Sequence, residues 1–245
     1  MLLLGLDVET SGLDSVNDRV IEIGAVLFDW DTKMPMQILS ELVDPAMDMT
    51  TASDQFTLPE EIAAITGITS EALSNYGGYE RDVIVRLDAM SRHADYYVAH
   101  NGNAFDRPFV ENAYARHSMT MLDRPWLDTI IDIKFPESIK TRNLHHLGAD
   151  HQTLNPFRHR AVFDVLTMFK VMEHYDIDAI IARSKEPVLY VQALVSFEEK
   201  ELAKERGYHW CAPKKIWWRS WKSSDFEADK LECGFRTQFL NGAPE

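Results

Sequence analysis

Asp7 and Glu9 lie two residues apart in LLLGLDVET, at the end of an otherwise apolar run. Successive side chains of a strand point to opposite faces, so both carboxylates emerge on the same side of a sheet. A buried pair of like charges must take up protons or disrupt its strand, unless hard divalent cations with oxygen ligands neutralise it. The tripeptide alone also fits an exposed strand end carrying acids by chance, so the rest of the chain has to decide.

Farther along, a helix over Arg81–His93 precedes an apolar strand, Tyr96–Ala99, which ends in His100-Asn101-Gly102-Asn103-Ala104-Phe105-Asp106. His159-Arg160-Ala161-Val162-Phe163-Asp164 then opens an amphipathic helix. Asp-x-Glu-Thr, His-Asn-x-x-x-Phe-Asp and His-x-x-x-x-Asp, with Ile65-Thr66-Gly67-Ile68-Thr69 between the first two, resemble the signature of the DEDDh branch of the DnaQ-like 3′-to-5′ exonucleases. The resemblance covers residues 1–175. In the sister branch a tyrosine lies four positions before the last aspartate. Here Arg160 holds that position and His159 lies five before Asp164, which fits the histidine branch.

The resemblance implies a ribonuclease H-like mixed sheet flanked by helices and a metal-dependent hydrolase of phosphodiester bonds. Such hydrolysis builds negative charge on the phosphoryl oxygens and the leaving oxygen, which two metal ions about 3.5–4 Å apart can stabilise. Four carboxylates carry the charge that two divalent cations balance. By resemblance, Asp7 bridges both ions, Glu9 and Asp164 complete one site, and Asp106 reaches the other. His159 takes the proton of the attacking water, a task suited to imidazole near neutral pH. Carboxylate ligands favour Mg2+ or Mn2+, and no Cys/His cluster argues for zinc.

The coarse pattern agrees. Leu2–Val8, Val20–Phe28 and Gln37–Val43 read as strands, the second almost continuously apolar. Thr57-x-x-Glu60 reads as a capping box for a short helix ended by Gly67. Ala104–Arg116, Asn143–Leu147 and Arg160–Tyr175 read as helices, and Asp128-Thr129 as a helix cap. In the family, the loop after Glu9 meets the terminal sugar and an apolar side chain wedges against the last base. That implies substrate contacts for Thr10, Gly12 and Leu13, with Leu13 the wedge; Gly12 as a turn residue and Leu13 as a core residue is the competing reading. Thr66, His100, Asn101 and Phe105 are further implied contacts, although His100 and Asn101 read equally well as strand-end caps.

With 245 residues, 45% of them hydrophobic, the chain exceeds what one such domain needs. It divides into an exonuclease-like domain over 1–184 and a small α+β module over 188–245. In the module, Val188–Val195 reads as a strand, while Ser196-x-x-Glu199 and Ser224-x-x-Glu227 read as capping boxes, the first for a helix closed by Gly207. Between these helices, residues 207–222 hold four of the six tryptophans and several basic residues with no acid. Trp217, Trp218 and Trp221 could stack unpaired bases while Lys214, Lys215 and Arg219 follow phosphates; a hairpin with a tryptophan mini-core is the other reading.

The net charge is −14, yet residues 187–245 hold nine Lys/Arg and nine Asp/Glu, so the front domain carries the whole excess. That excludes general electrostatic binding of duplex backbone, which demands clustered cations. Cys211 and Cys233 form no disulfide framework, and Met1-Leu2-Leu3-Leu4 is too short for a signal or membrane segment, so a cytoplasmic, membrane-free protein is expected. The leading function is removal of nucleotides from single-stranded DNA or RNA 3′ ends, alone or with a replication or repair protein partner. A hydrolase of small nucleotide or cap-like diesters and a non-catalytic nucleic-acid-binding module are the alternatives. DNA against RNA, and monomer against dimer, stay open.

Overall fold

The computed structural model describes residues 1–48, 56–230 and 232–244. The chain forms two compact units, Met1–Ser184 and Lys185–Glu245. In the first, β1 (Leu2–Thr10), β2 (Val20–Asp29) and β3 (Met34–Leu42) form an antiparallel meander. Three helices follow, α1 (Glu60–Thr66), α2 (Ser70–Tyr76) and α3 (Glu80–Ser91). Parallel β4 (Tyr96–Ala99) then pairs with β1, α4 (Asp106–Arg116) crosses over, and β5 (Trp126–Asp128) completes the order β3-β2-β1-β4-β5. The helices α5 (Leu144–Asp150), α6 (Ala161–Met172) and α7 (Ile177–Ser184) close the unit. This is the expected mixed sheet flanked by helices.

Alternation along β1 divides the core between the two faces. Leu4, Leu6 and Val8 pack with Val83 and Leu87 of α3 and Phe109 and Val110 of α4. Leu3 packs on the other face with Val165, Phe169 and Met172 of α6. Asp7 and Glu9 continue that second face towards the open end of the strand. On the same face, in register with Asp7, stands Gly24 of β2. A Cβ there would lie 2.3 Å from the backbone of Ala161 and Val162, so only glycine lets the first turn of α6 rest on the sheet beside the carboxylates.

Local chemistry moves several expected boundaries. Thr57 does not cap α1: Pro59 holds the N-cap position with no side-chain cap. A residue before proline is driven out of helical geometry, so Leu58 cannot begin the helix and Thr57 falls outside it. Gly67 does end α1, in left-handed geometry at φ 71°. Asn143 precedes α5 as its cap and accepts the N–H groups of His145 and His146. The chain at Ala104 and Phe105 is a turn rather than helix, since Asn101 at φ 71° reverses it first.

The second unit is an antiparallel sheet with two helices. Its elements run β6 (Val188–Leu194), α8 (Lys200–Glu205), β7 (His209–Cys211), β8 (Ile216–Lys222), α9 (Ser223–Lys230) and β9 (Arg236–Leu240), with sheet order β7-β8-β6-β9. Val191, Ala193, Ala203, Tyr208, Trp221 and Phe226 form its core. Half of the Ser196 capping box is realised, as Glu199 accepts the Ser196 N–H at 3.0 Å, though α8 begins only at Lys200. At α9 the acceptor is Glu186, which takes the Ser224 N–H at 3.0 Å in place of a box within the helix. Among the described residues no helix is long and apolar enough to cross a membrane.

Because α6 contacts β2 through a glycine, Gly24→Ala should force the helix off the sheet. Urea denaturation is expected to report a loss of about 1–3 kcal/mol, the usual cost of overpacking; unchanged stability would mean that the helix can move freely there.

Candidate active site

Glu22 faces Glu9 across the β1–β2 ladder and is almost completely buried. It accepts from Nε and a terminal nitrogen of Arg160, at 3.1 and 3.0 Å, and from the Ala161 N–H at 3.1 Å. One buried acid thus holds the cap and first residue of α6 against β2, and the helix presents Asp164 one turn later. His159 lies just outside the helix with φ 57°. Its N–H donates to Asp164 Oδ2 at 2.9 Å, while Asn155 Nδ2 donates to Oδ1 at 2.7 Å.

The other side of the cleft is built from α4. Asp106, its first residue, accepts the Val8 N–H at 3.0 Å and so ties the helix to the backbone between Asp7 and Glu9. Asp128 organises the preceding loop, accepting from the N–H groups of Asn101 and Asn103 at 3.0 and 3.1 Å. It also accepts from Ile130, and no helix follows, so its expected role as a helix cap is replaced by one of shaping loops.

Asp7, Glu9, Asp106, His159 and Asp164 line one cleft of about 480 Å3. Ligand atoms of Glu9, His159 and Asp164 all lie within 4.8 Å of one another. The electrostatics are those of crowded acids. Burial, then Asp106, Asp164 and Glu9, push the Asp7 carboxyl well above the usual range. Burial and the charge of Asp164 raise Glu9 to about 8. Asp106 is raised to about 7 by burial, although the Val8 N–H opposes this, and Asp164 to about 6, again mainly by burial. His159 shifts down, through burial and then Arg158, which favours the neutral ring. Crowded oxygen donors that hold protons this tightly fit hard divalent cations.

The expected substrate residues are placed unequally. His100, Asn101 and Phe105 line the cleft. The His100 ring is nevertheless engaged at both nitrogens, with Nδ1 2.7 Å from Thr129 Oγ1 and Nε2 2.6 Å from the Arg142 carbonyl. A carbonyl only accepts, so Nε2 carries the proton. Thr10 is buried and donates its hydroxyl to the Gly12 carbonyl at 2.6 Å, and a Cβ on Gly12 would strike the Asp18 carboxylate. Leu13 is 85% exposed, which removes its reading as a core residue. Thr66 is corrected. It is buried, donates to the Ile62 carbonyl at 2.9 Å and accepts the Ile68 N–H at 3.1 Å, leaving its hydroxyl committed to the end of α1.

Two expected contacts in the second unit are also corrected. Trp221 is a core residue, and Arg219 lies 3.6 Å over its ring while donating to the Arg206 carbonyl. Sheet alternation puts Trp218 on the opposite face, beside Tyr190. Conversely, the cleft holds Arg142, Asn143, His145 and Arg158, which motif reading missed. Their signal was local: residues 140–146 and 158–160 are basic stretches in an otherwise acidic domain.

The carboxylate shifts set a pH dependence. Each raised group binds its proton more tightly in the folded than in the unfolded chain, so stability falls as pH rises from the ordinary carboxylate range to about 8. Thermal melting in EDTA should give a falling Tm over that interval, with Mg2+ or Mn2+ restoring it most at the alkaline end. A Tm that is flat with pH and insensitive to either ion would contradict the mutual repulsion of these acids.

Comparisons with known proteins agree with this architecture. A family model described as exonuclease, RNase_T, matches residues 4–172. DNA polymerase III PolC-type of Lacticaseibacillus paracasei is 31% identical over 160 residues, spanning 64% of this chain and 10% of that protein. The same protein of Thermotoga maritima is 31% identical over 162 residues, 65% of this chain and again 10% of the polymerase. A zinc-bound E. coli ExoI–ssDNA complex superposes with a TM-score of 0.63 at 18% identity, covering 78% of this chain and 47% of that one. The chain thus spans a tenth of these polymerases and about half of exonuclease I. It belongs to the RNase_T exonuclease family, of DnaQ-like fold.

Proposed function

We propose that the chain is a 3′-to-5′ exonuclease that removes nucleotides from single-stranded DNA with the help of two divalent cations, Mg2+ or Mn2+. The observation that carries this is the meeting of four proton-holding carboxylates and a neutral histidine in one cleft. Asp7, Glu9, Asp106 and Asp164 would hold the ions. When bound, such ions stabilise charge on the attacked phosphate and on the leaving oxygen.

The residues of the chain do the rest. Neutral His159 accepts the proton of the attacking water, and the Asp164 carboxylate, which takes the His159 N–H, fixes the backbone from which the ring projects. Arg142 and Arg158 supply positive charge at the cleft for the strand's phosphates. Leu13, exposed in the loop after β1, would press on the terminal base. DNA is favoured over RNA by the similarity to DNA polymerases and to an exonuclease I bound to ssDNA. One exonuclease I structure is a complex with SSB-Ct, which supports a replication or repair protein as partner for this chain too.

End-labelled single-stranded DNA incubated with the protein and Mg2+, Mn2+ or EDTA tests the reading. Asp7→Ala and Asp164→Ala should abolish hydrolysis while keeping the fold; turnover like the wild type at saturating metal would refute their role as ligands. His159→Ala should lower kcat by roughly 10²–10⁴-fold, the usual worth of a positioned base, with metal affinity retained. In the wild type the rate should rise with pH and level off below the ordinary histidine value, because the ring's pKa is lowered. An undiminished kcat in the His159 variant would make the residue structural.

A further inference from the structure

In the second unit, α8, the end of β6 and the β7–β8 hairpin border a groove at the rim of the unit's core. Two adjoining cavities, of about 430 and 370 Å3, share Phe197, Trp210 and Trp217. Phe197 is 77% and Trp210 49% exposed, and neither belongs to the unit's core. The core is built instead from Trp221, Phe226, Tyr208 and Val191. Trp210 and Trp217 pair across the strands with ring centroids 5.5 Å apart and planes tilted by 52°. Exposed rings gathered in one place mark an interaction surface.

The charged side chains that line the two cavities are lysines. Lys200 Nζ lies 3.9 Å over the Phe197 ring and Lys204 Nζ 5.9 Å over Trp217. Lys215, at the hairpin turn with φ 54°, lines the larger cavity. Among the described residues no carboxylate lines either cavity. Glu201 pairs with Lys204 at 2.6 Å, but both side chains are exposed, and such a pair gives way readily to a stronger anion. Lysines beside partly exposed aromatic rings match a polyanion with flat apolar groups.

We propose that this groove is a second binding surface for single-stranded nucleic acid, distinct from the catalytic cleft. Unpaired bases stack on Phe197, Trp210 and Trp217, and Lys200, Lys204 and Lys215 meet the flanking phosphates. Stacking on aromatic faces tolerates any base, which suits a surface that holds strands without reading them. It would also supply attraction that the acidic front domain lacks. The identity of the strand rests on the exonuclease reading; the binding itself does not.

Fluorescence anisotropy of a labelled oligo(dT) of about 20 nucleotides, added to the intact chain in EDTA, measures that binding without hydrolysis. Phe197→Ala and Trp210→Ala should each weaken it at least about fivefold, and Lys200→Glu with Lys204→Glu should weaken it further and reduce its dependence on salt. All these side chains are wholly or partly exposed, and circular dichroism would verify the fold. An abasic strand of the same length should bind the wild type more weakly than oligo(dT). Equal affinities for oligo(dT) in wild type and variants, or equal binding of abasic and oligo(dT) strands, would overturn the proposal. If the wild type hydrolyses DNA while the variants bind as it does, the groove fails and the exonuclease stands. If oligo(dT) binding depends on Phe197 and Trp210 but no strand is ever cut, the reverse holds.

Discussion

Mutual repulsion among crowded, half-buried to buried acids is the constraint around which the front domain is arranged. Asp7 and Glu9 leave β1 on one face, Asp164 descends onto that face from α6, and Asp106 enters at the start of α4. Burial and crowding each favour the protonated forms, so the site is held together against its own electrostatics. What opposes the repulsion is hydrogen bonding at the rim, from backbone N–H groups and one arginine side chain. The Val8 N–H serves Asp106, the His159 N–H serves Asp164, and the Arg160 and Ala161 donors serve Glu22. Each bond anchors an element, and those to Asp106 and Asp164 offset the rise of their carboxyls only in part.

Glu22 shows how such an anchor works. It sits in a strand buried on both faces, where an unpaired acid would cost several kcal/mol. Its partner is the residue whose position distinguishes the histidine branch from the tyrosine branch. Here Arg160 points at Glu22, so the position four before Asp164 serves the docking of α6, while the position five before it, with left-handed backbone, is free to turn its ring to the cleft. Gly24 permits the close approach and Glu22 locks it.

The catalytic motifs were legible in the sequence because their spacing is local. Alternation placed Asp7 and Glu9 on one face, and a spacing of five residues linked His159 to Asp164. Residues whose function depends on distant partners were not legible. Glu22 looked like an interruption in an apolar run, since Arg160 is far away in the chain. Arg142 and Asn143 reach the cleft through a loop joined to β4 by the His100 ring, which no pattern announces. Thr66 failed for the opposite reason. Its neighbours fit a motif, but the end of α1 needed its hydroxyl first.

The tryptophan-rich segment illustrates the same division within a few residues. Composition marked it as either a stacking platform or a mini-core, and strand alternation makes it both. Trp221 faces the helices and is enclosed by Tyr208 and Phe226, whereas Trp217, on the same face but nearer the hairpin turn, reaches the rim and meets Trp210. Trp218 takes the other side of the sheet. A small unit needs bulky apolar residues to hold its core, and here one tryptophan of the strand meets that need. The aromatic residues at the rim, Phe197 and Trp210, stand outside that core, and with the lysines beside them they form the surface proposed to hold a strand of nucleic acid.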